Sequence, residues 1–172
     1  RRGLPNIKNT VDATSVLADP EVIKLFEKHG VFSAIELAAR EEVGYENYSK
    51  AINIEARTMI DMVKKEIIPA VMEYTTTVAK SVKAVGADAS VQEKVLKEIT
   101  TELSKLDAAV VKLEAATDAS VKIEDPKAQA IAYRDDVFAQ FAEVREPADK
   151  LETLVDEKAW PFPTYAELLF NV

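Results

Sequence analysis

His29 is the single histidine of this 172-residue chain and cysteine is absent, which removes most of the usual tools of catalysis. Thiolate nucleophiles, disulfides, iron–sulfur clusters and cysteine zinc sites all need cysteine. A metal site built on two histidines cannot form within one chain, and a helical carboxylate site would need Glu-x-x-His where Phe26 stands three residues before His29. A serine triad through His29 has no Gly-x-Ser-x-Gly elbow to support it. Beside Gly30, His29 reads instead as a group compensating a helix C-terminus. The acid pairs Glu41–Glu42 and Asp135–Asp136 are adjacent in sequence, so on a helix they point to different faces and read as solvated surface. Only four glycines occur, Gly3, Gly30, Gly44 and Gly86, too scattered for a loop whose backbone N–H groups cradle phosphate. We therefore expect no catalytic, cofactor-binding or metal-binding residue in this chain.

Two stretches carry unusual polar or aromatic content. In Glu46-Asn47-Tyr48-Ser49-Lys50-Ala51-Ile52-Asn53-Ile54-Glu55-Ala56-Arg57, Asn53 falls one position from an apolar stripe and Glu55 and Arg57 flank it. We read Asn53, Glu55 and Arg57 as buried polar contacts fixing helix register, with a regulatory ligand site as the alternative. At the other end, Trp160, Phe162, Tyr165 and Phe170 place four aromatic rings within eleven positions, among prolines. A tail this apolar reads as a clasp folded back on its own bundle, or else as a domain or subunit interface.

The elements that hold these residues are helices. Asp19-Pro20 is an N-cap followed by a proline at the first helical position, and His29-Gly30 closes that helix. Ser33 and Glu36 form a capping box opening a helical pattern that runs to Val85, with Gly86 as its stop. Its seam runs through Tyr45, Tyr48, Ile52, Met59, Val63, Ile67, Ala70, Tyr74, Val78 and Val82, mostly at spacings of three and four. Some fifty residues of helix would be about 75 Å long, so a bend is expected, at Pro69. Ser90 and Glu93 predict the next start, followed by the seam Val95, Ile99, Leu103, Leu106, Val110 and Leu113. The short connection from Gly86 to Asp88 makes the two arms an antiparallel hairpin. Asp125-Pro126 opens a further helix carrying Ile131, Phe138, Phe141, Val144, Ala148, Leu151 and Val155, kinked at Pro147 and ending near Trp160. Thr164 and Glu167 predict a short last helix, Tyr165 to Phe170.

The fold class is thus all-α: an elongated antiparallel bundle with a long kinked helix, a helical hairpin and a short C-terminal helix. Residues 1–18 lack helical period and read as an extended leader from an upstream domain, 19–159 as the bundle, and 160–172 as the aromatic and proline-rich tail. Arg1-Arg2-Gly3-Leu4-Pro5 has neither an initiator methionine nor the apolar run of a signal peptide, which we read as a piece of a larger protein. A formal net charge of -8 argues against nucleic acid or anionic membrane as partners. No apolar run approaches the twenty residues of a membrane span. The Val95–Leu113 seam leaves a second reading open, a free-standing helical adaptor or coiled-coil interaction module.

Several segments, in this order, resemble one family. They are Arg1-Arg2-Gly3-Leu4-Pro5-Asn6, Leu25-Phe26-Glu27-Lys28-His29-Gly30-Val31-Phe32-Ser33, the stretch from Glu46 to Met62 with Glu66-Ile67-Ile68-Pro69-Ala70-Val71, Ala132-Tyr133-Arg134-Asp135, and Trp160-Pro161-Phe162-Pro163-Thr164-Tyr165. Together they are similar to the C-terminal region of type III glutamine synthetases; between Thr75 and Lys122 only the helical pattern supports the likeness. The resemblance implies a cytoplasmic parent ligase of nitrogen metabolism that joins ammonia to glutamate with ATP and Mg, through a γ-glutamyl phosphate. It places the nucleotide, metal and glutamate motifs upstream of this chain. It also implies an upstream catalytic domain and neighbouring subunits of a large homo-oligomer as partners, with a structural or assembly role for this region.

Overall fold

The computed structural model describes residues 3, 5–86, 88–163 and 165–170, with only the backbone described at Tyr165 and Ala166. Every regular element among them is helical, and the segment 34–85 is 52 residues of nearly continuous helix. The expected all-α class, the hairpin and the short last helix are all present.

Local capping chemistry sets most of the boundaries. Helix α2 (Pro20–Lys28) starts at Asp19, whose carboxylate accepts from the Glu21 N–H at 2.8 Å, and ends at Gly30 with φ of 62°. Helix α3 (Ala34–Met62) opens with the expected capping box: the Ser33 N–H donates to Glu36 Oε2 at 2.8 Å and the Glu36 N–H returns to Ser33 Oγ at 3.4 Å. The Ser33 backbone and hydroxyl donors hold the Glu36 carboxyl below its ordinary pKa. Helix α4 (Ile68–Val85) ends at Gly86, whose φ of 69° is the left-handed conformation that suits a residue without Cβ.

Between α3 and α4, residues Val63–Ile67 form one π-helical turn, closed by the Ile68 N–H on the Val63 carbonyl. Pro69 has no N–H to return to the preceding turn, so the departure from α geometry expected at the proline falls in the turn just before it. Helix α5 (Ser90–Ser120) begins where Ser90 was expected to matter, but its cap differs. The Asp88 carboxylate accepts from the Ser90 N–H at 3.1 Å, and the donors of Ser90 lower the Asp88 pKa. The Ser90–Glu93 box is thereby replaced by an Asp88 cap, a charged acceptor being the stronger partner for an open N–H.

Two further expectations are corrected. Residues 1–18 are not extended throughout, because Thr10–Ser15 form α1 and Val16–Ala18 a short 3-10 turn. Asn9 caps α1 by accepting from the Asp12 N–H at 2.8 Å. The helix from Asp125 is likewise not one uniform run to Trp160. It comprises α6 (Pro126–Ala132), a π-helical turn Tyr133–Phe138, and α7 (Gln140–Glu152), in which Pro147 is buried, and it gives way to turns from Thr153. Ile131 and Phe138 were expected inside, yet Phe138 is 52% exposed while Ala130, Tyr133 and Val137 are buried. At Ala130–Ile131 and Val137–Phe138 two apolar residues stand side by side, and the smaller of each pair takes the interior. Helix α8 (Tyr165–Phe170) has the expected bounds, while its predicted cap Thr164 lies outside the described residues.

The chain divides into two compact units. Unit 1, Arg1–Glu55 with Ala116–Phe138, buries Val11, Leu37, Tyr45, Ile52, Ala130, Tyr133 and Val137. Unit 2, Ala56–Ala115 with Ala139–Val172, buries Ile60, Val63, Ile67 and Val71 from one hairpin arm, Ile99, Leu106, Val110 and Leu113 from the other, and Val144 and Leu151 from α7. Lys64 pairs with Glu114 across the hairpin, in the register an antiparallel turn near residue 88 dictates.

Candidate functional site

The densest polar constellation lies in unit 1, where α1 docks on α3 and on the π turn after α6. Val11 joins Tyr45 and Ala130 in a buried cluster with Tyr48 against it. Arg134, projecting from the π turn, holds Asp135 with two parallel bonds of 2.7 and 2.9 Å and reaches Asp12 of α1 at 2.9 Å. The Arg134 guanidinium holds the Asp135 carboxyl below its ordinary pKa, and Asp135 in turn raises that of Arg134. Thr14 of α1 lies over Gly44: a Cβ built there would meet the Thr14 methyl at 2.7 Å, so the missing side chain is what lets α1 approach α3.

Beside this cluster, the Tyr45 hydroxyl donates to Glu41 at 2.8 Å, and the Lys127 ammonium stands 3.9 Å from Glu41 and 5.8 Å from the centre of the Tyr45 ring. Burial, and then the negative charge of Glu41, push the Tyr45 pKa up to about 12. An unfolded tyrosine loses its proton near pH 10. Stability from this site is therefore complete below about pH 10 and is lost as pH rises through the raised value. A spectrophotometric titration should show the Tyr45 tyrosinate appearing only near pH 12, and Tyr45→Phe should lower the amplitude of that step by one tyrosinate. A Tyr45→Phe protein that keeps the full amplitude would show that Tyr45 does not contribute to that step.

The residues singled out from sequence are distributed as follows. Asn53 is half-buried; its Oδ1 and, one turn earlier, the buried Ser49 Oγ lack hydrogen-bond partners among the described residues. Glu55 and Arg57 are exposed, which corrects their expected burial. The inward phase of the helix falls on Ile52, Ala56 and Ile60, so positions 55 and 57 turn away to either side. Trp160 and Phe162 are half-buried and Phe170 is 78% exposed, while the Tyr165 side chain lies outside the described residues. His29 is exposed at the C-cap of α2. The polar cluster missed in the sequence is Asp12–Arg134–Asp135; the Asn9-x-x-Asp12 spacing, a capping pattern, was the signal that could have exposed its α1 half.

Among the described residues no three His, Cys, Asp or Glu side chains converge in an arrangement that could hold a metal ion. No described helix is long and apolar enough to cross a membrane. The expected adaptor seam is spent internally, since Ile99, Leu106, Val110 and Leu113 are all fully buried within the fold.

The chain is 33% identical over its whole length to a glutamine synthetase of Butyrivibrio fibrisolvens, of which it covers 25%. It is 31% identical, over 98% of its length and 24% of the relative, to the type-3 glutamine synthetase of Dictyostelium discoideum. A glutamine synthetase of Bacteroides fragilis is 28% identical over 99% of the chain and 25% of the relative. The chain thus spans about a quarter of the length of the curated relatives it matches. Residues 1–86 match the sequence model of the glutamine synthetase C-terminal domain, the half that holds α1, α2 and the whole of α3 and α4, and on that match the chain belongs to the glutamine synthetase C-terminal domain family.

Proposed function

We propose that this chain is the helical C-terminal domain of a type III glutamine synthetase and that it serves the parent as a structural and assembly element. The supporting observation is the alignment of the whole chain to only a quarter of its relatives, which leaves three quarters of the polypeptide for the chemistry. Ligation of ammonia to glutamate, with its ATP and divalent metal, then belongs to the upstream region. No step of that reaction is routed through residues of this chain.

The aromatic tail is the part we assign to holding the domain in place, as a clasp or a subunit contact. Trp160 and Phe162 are half-buried on turns after α7, and Leu168, Leu169 and Phe170 of α8 face outward. Replacing Trp160 and Phe162 together by alanine in the full-length enzyme should lower Tm by several degrees or shift the oligomer to smaller species. Glutamine formation per assembled particle should stay within about twofold, a change of under 0.5 kcal/mol in the barrier. An unchanged oligomer with an unchanged Tm removes the clasp or interface, and lost turnover in an intact oligomer overturns the non-catalytic reading.

A further inference from the structure

The hairpin of unit 2 is packed along most of its length but not at its tip. An antiparallel turn near residue 88 sets Ile67 level with Val110, Val71 with Leu106 and Val78 with Ile99, and all six are buried. From residue 79 to residue 98 none of the described residues is buried. The seam continues there only as half-buried Val82, Val95 and Leu96, while Val85 is 44% exposed and Val91 70%. The course of α7 explains where burial stops. Lys112 of α5 pairs with Glu143, and Lys105, held chiefly by Glu102, also feels the charge of Glu146, so α7 runs back along α5 toward the tip. It ends at Glu152, nine residues after Glu143 and so level with about Leu103. Close to that level both arms turn to residues of weak helix preference: 75–78 of α4 and 99–101 of α5 are all β-branched. The hydroxyls of Thr75, Thr76, Thr77, Thr100 and Thr101 each donate to a carbonyl one turn earlier in their own helix, at 2.6 to 3.4 Å. Bonds of this kind bend helices and slightly weaken them.

We infer that residues 79–98 are an arm that opens on its own, at a neck formed by the two β-branched runs, while the rest of unit 2 stays folded. Opening the arm forfeits only the half-buried seam of Val82, Val95 and Leu96, whereas opening the core exposes Leu106, Val110 and Leu113, which are fully buried. The helical pieces beyond the neck, 79–85 and 90–98, are shorter than the roughly 12–15 residues at which an isolated helix becomes even marginal in water. Polar contacts do not tie them together: Asp88 caps its own following helix through the Ser90 N–H, and Lys94 reaches Glu98 at 4.0 Å on the same arm. Segments with few buried apolar groups are the ones that open sub-globally in a folded protein. The open arm bares an apolar seam that the closed hairpin half covers, so the end of the domain has two states while its core has one.

Native-state hydrogen exchange of the full-length protein, followed by mass spectrometry at stepped sub-denaturing urea, tests the arm. Amides of residues 82–85 and 94–98 should exchange at least about tenfold faster than those of 67–74 and 103–113. Their rates should also depend less steeply on urea, because their opening exposes less surface. A gap of less than tenfold, or one urea slope for both sets, would overturn the arm, since the tip would then open only with the whole unit. A core substitution gives the second reading. Leu106→Ala should speed the amides of 67–74 by at least about thirtyfold while those of 82–85 stay within about twofold, because the tip opens without disturbing Leu106. Parallel acceleration at both places would overturn the inference. Leu106→Val carries the same comparison, with a smaller step at the core, if the alanine protein does not fold.

Discussion

Leu106→Ala and Leu113→Ala should each destabilise unit 2 by about 2–5 kcal/mol, the range for deleting a buried leucine side chain. Both residues are fully buried on α5, within unit 2. The loss has two parts, the forfeited transfer free energy of the removed carbons and the cavity left between helices that cannot close fully around it. A bundle arm anchored by Ile99, Val110 and Leu113 around Leu106 has little room to collapse, which places the substitution toward the upper end. Surface pairs in the same unit set the contrast. Lys112 and Glu143 stand 3.4 Å apart with both side chains more than half exposed, and an exposed pair contributes about 0–1 kcal/mol. Urea unfolding followed by circular dichroism should therefore rank Leu106→Ala far below Lys112→Ala in midpoint. Equal midpoints would show that the α5 seam is not the core of this unit.

What the sequence disclosed and what it hid follow a physical division. Caps are local: Asp19, Ser33 with Glu36, Gly86 and Asp125 act within three residues of themselves, and each ends or starts a helix where the pattern places it. The hairpin seam is legible for the same reason, since four of its six positions are fully buried and the other two are half-buried. Helix α1 was hidden because its six residues, TVDATS, contain one apolar side chain that goes inside. No amphipathic period can show in one turn and a half, and α1 is held by tertiary contacts instead: Val11 on Tyr45 and Ala130, Asp12 on Arg134, Thr14 on Gly44. The two π turns were hidden because widening a turn to the i→i+5 hydrogen bond is a response to packing and, at Pro69, to a missing donor. Among the residues singled out for function, helical phase alone could have turned Glu55 and Arg57 outward. The aromatic tail was legible as composition, but which of its rings goes inside depends on contacts that spacing does not encode.

Tyr133→Ala should be the most damaging single substitution in unit 1, at about 3–5 kcal/mol, the range for truncating a buried aromatic side chain. Tyr133 is the largest of the fully buried side chains and begins the π turn that carries Arg134 and Asp135. Its removal empties the centre of the unit and also frees the turn from which Arg134 holds α1. Two controls separate these effects. Tyr133→Phe keeps the ring and its packing and should lose only about 1 kcal/mol for the hydroxyl. Arg134→Ala keeps the core but leaves Asp12 and Asp135 without their shared cation, so α1 should loosen while the rest of the unit stays folded. Amide exchange reads the difference directly. In Tyr133→Ala protection should fall throughout α6 and the first half of α3, whereas in Arg134→Ala the loss should be confined to residues 10–18. If Arg134→Ala unfolds the unit as completely as Tyr133→Ala does, then α1 is part of the cooperative core. Its docking would then be a condition of folding rather than an addition to it.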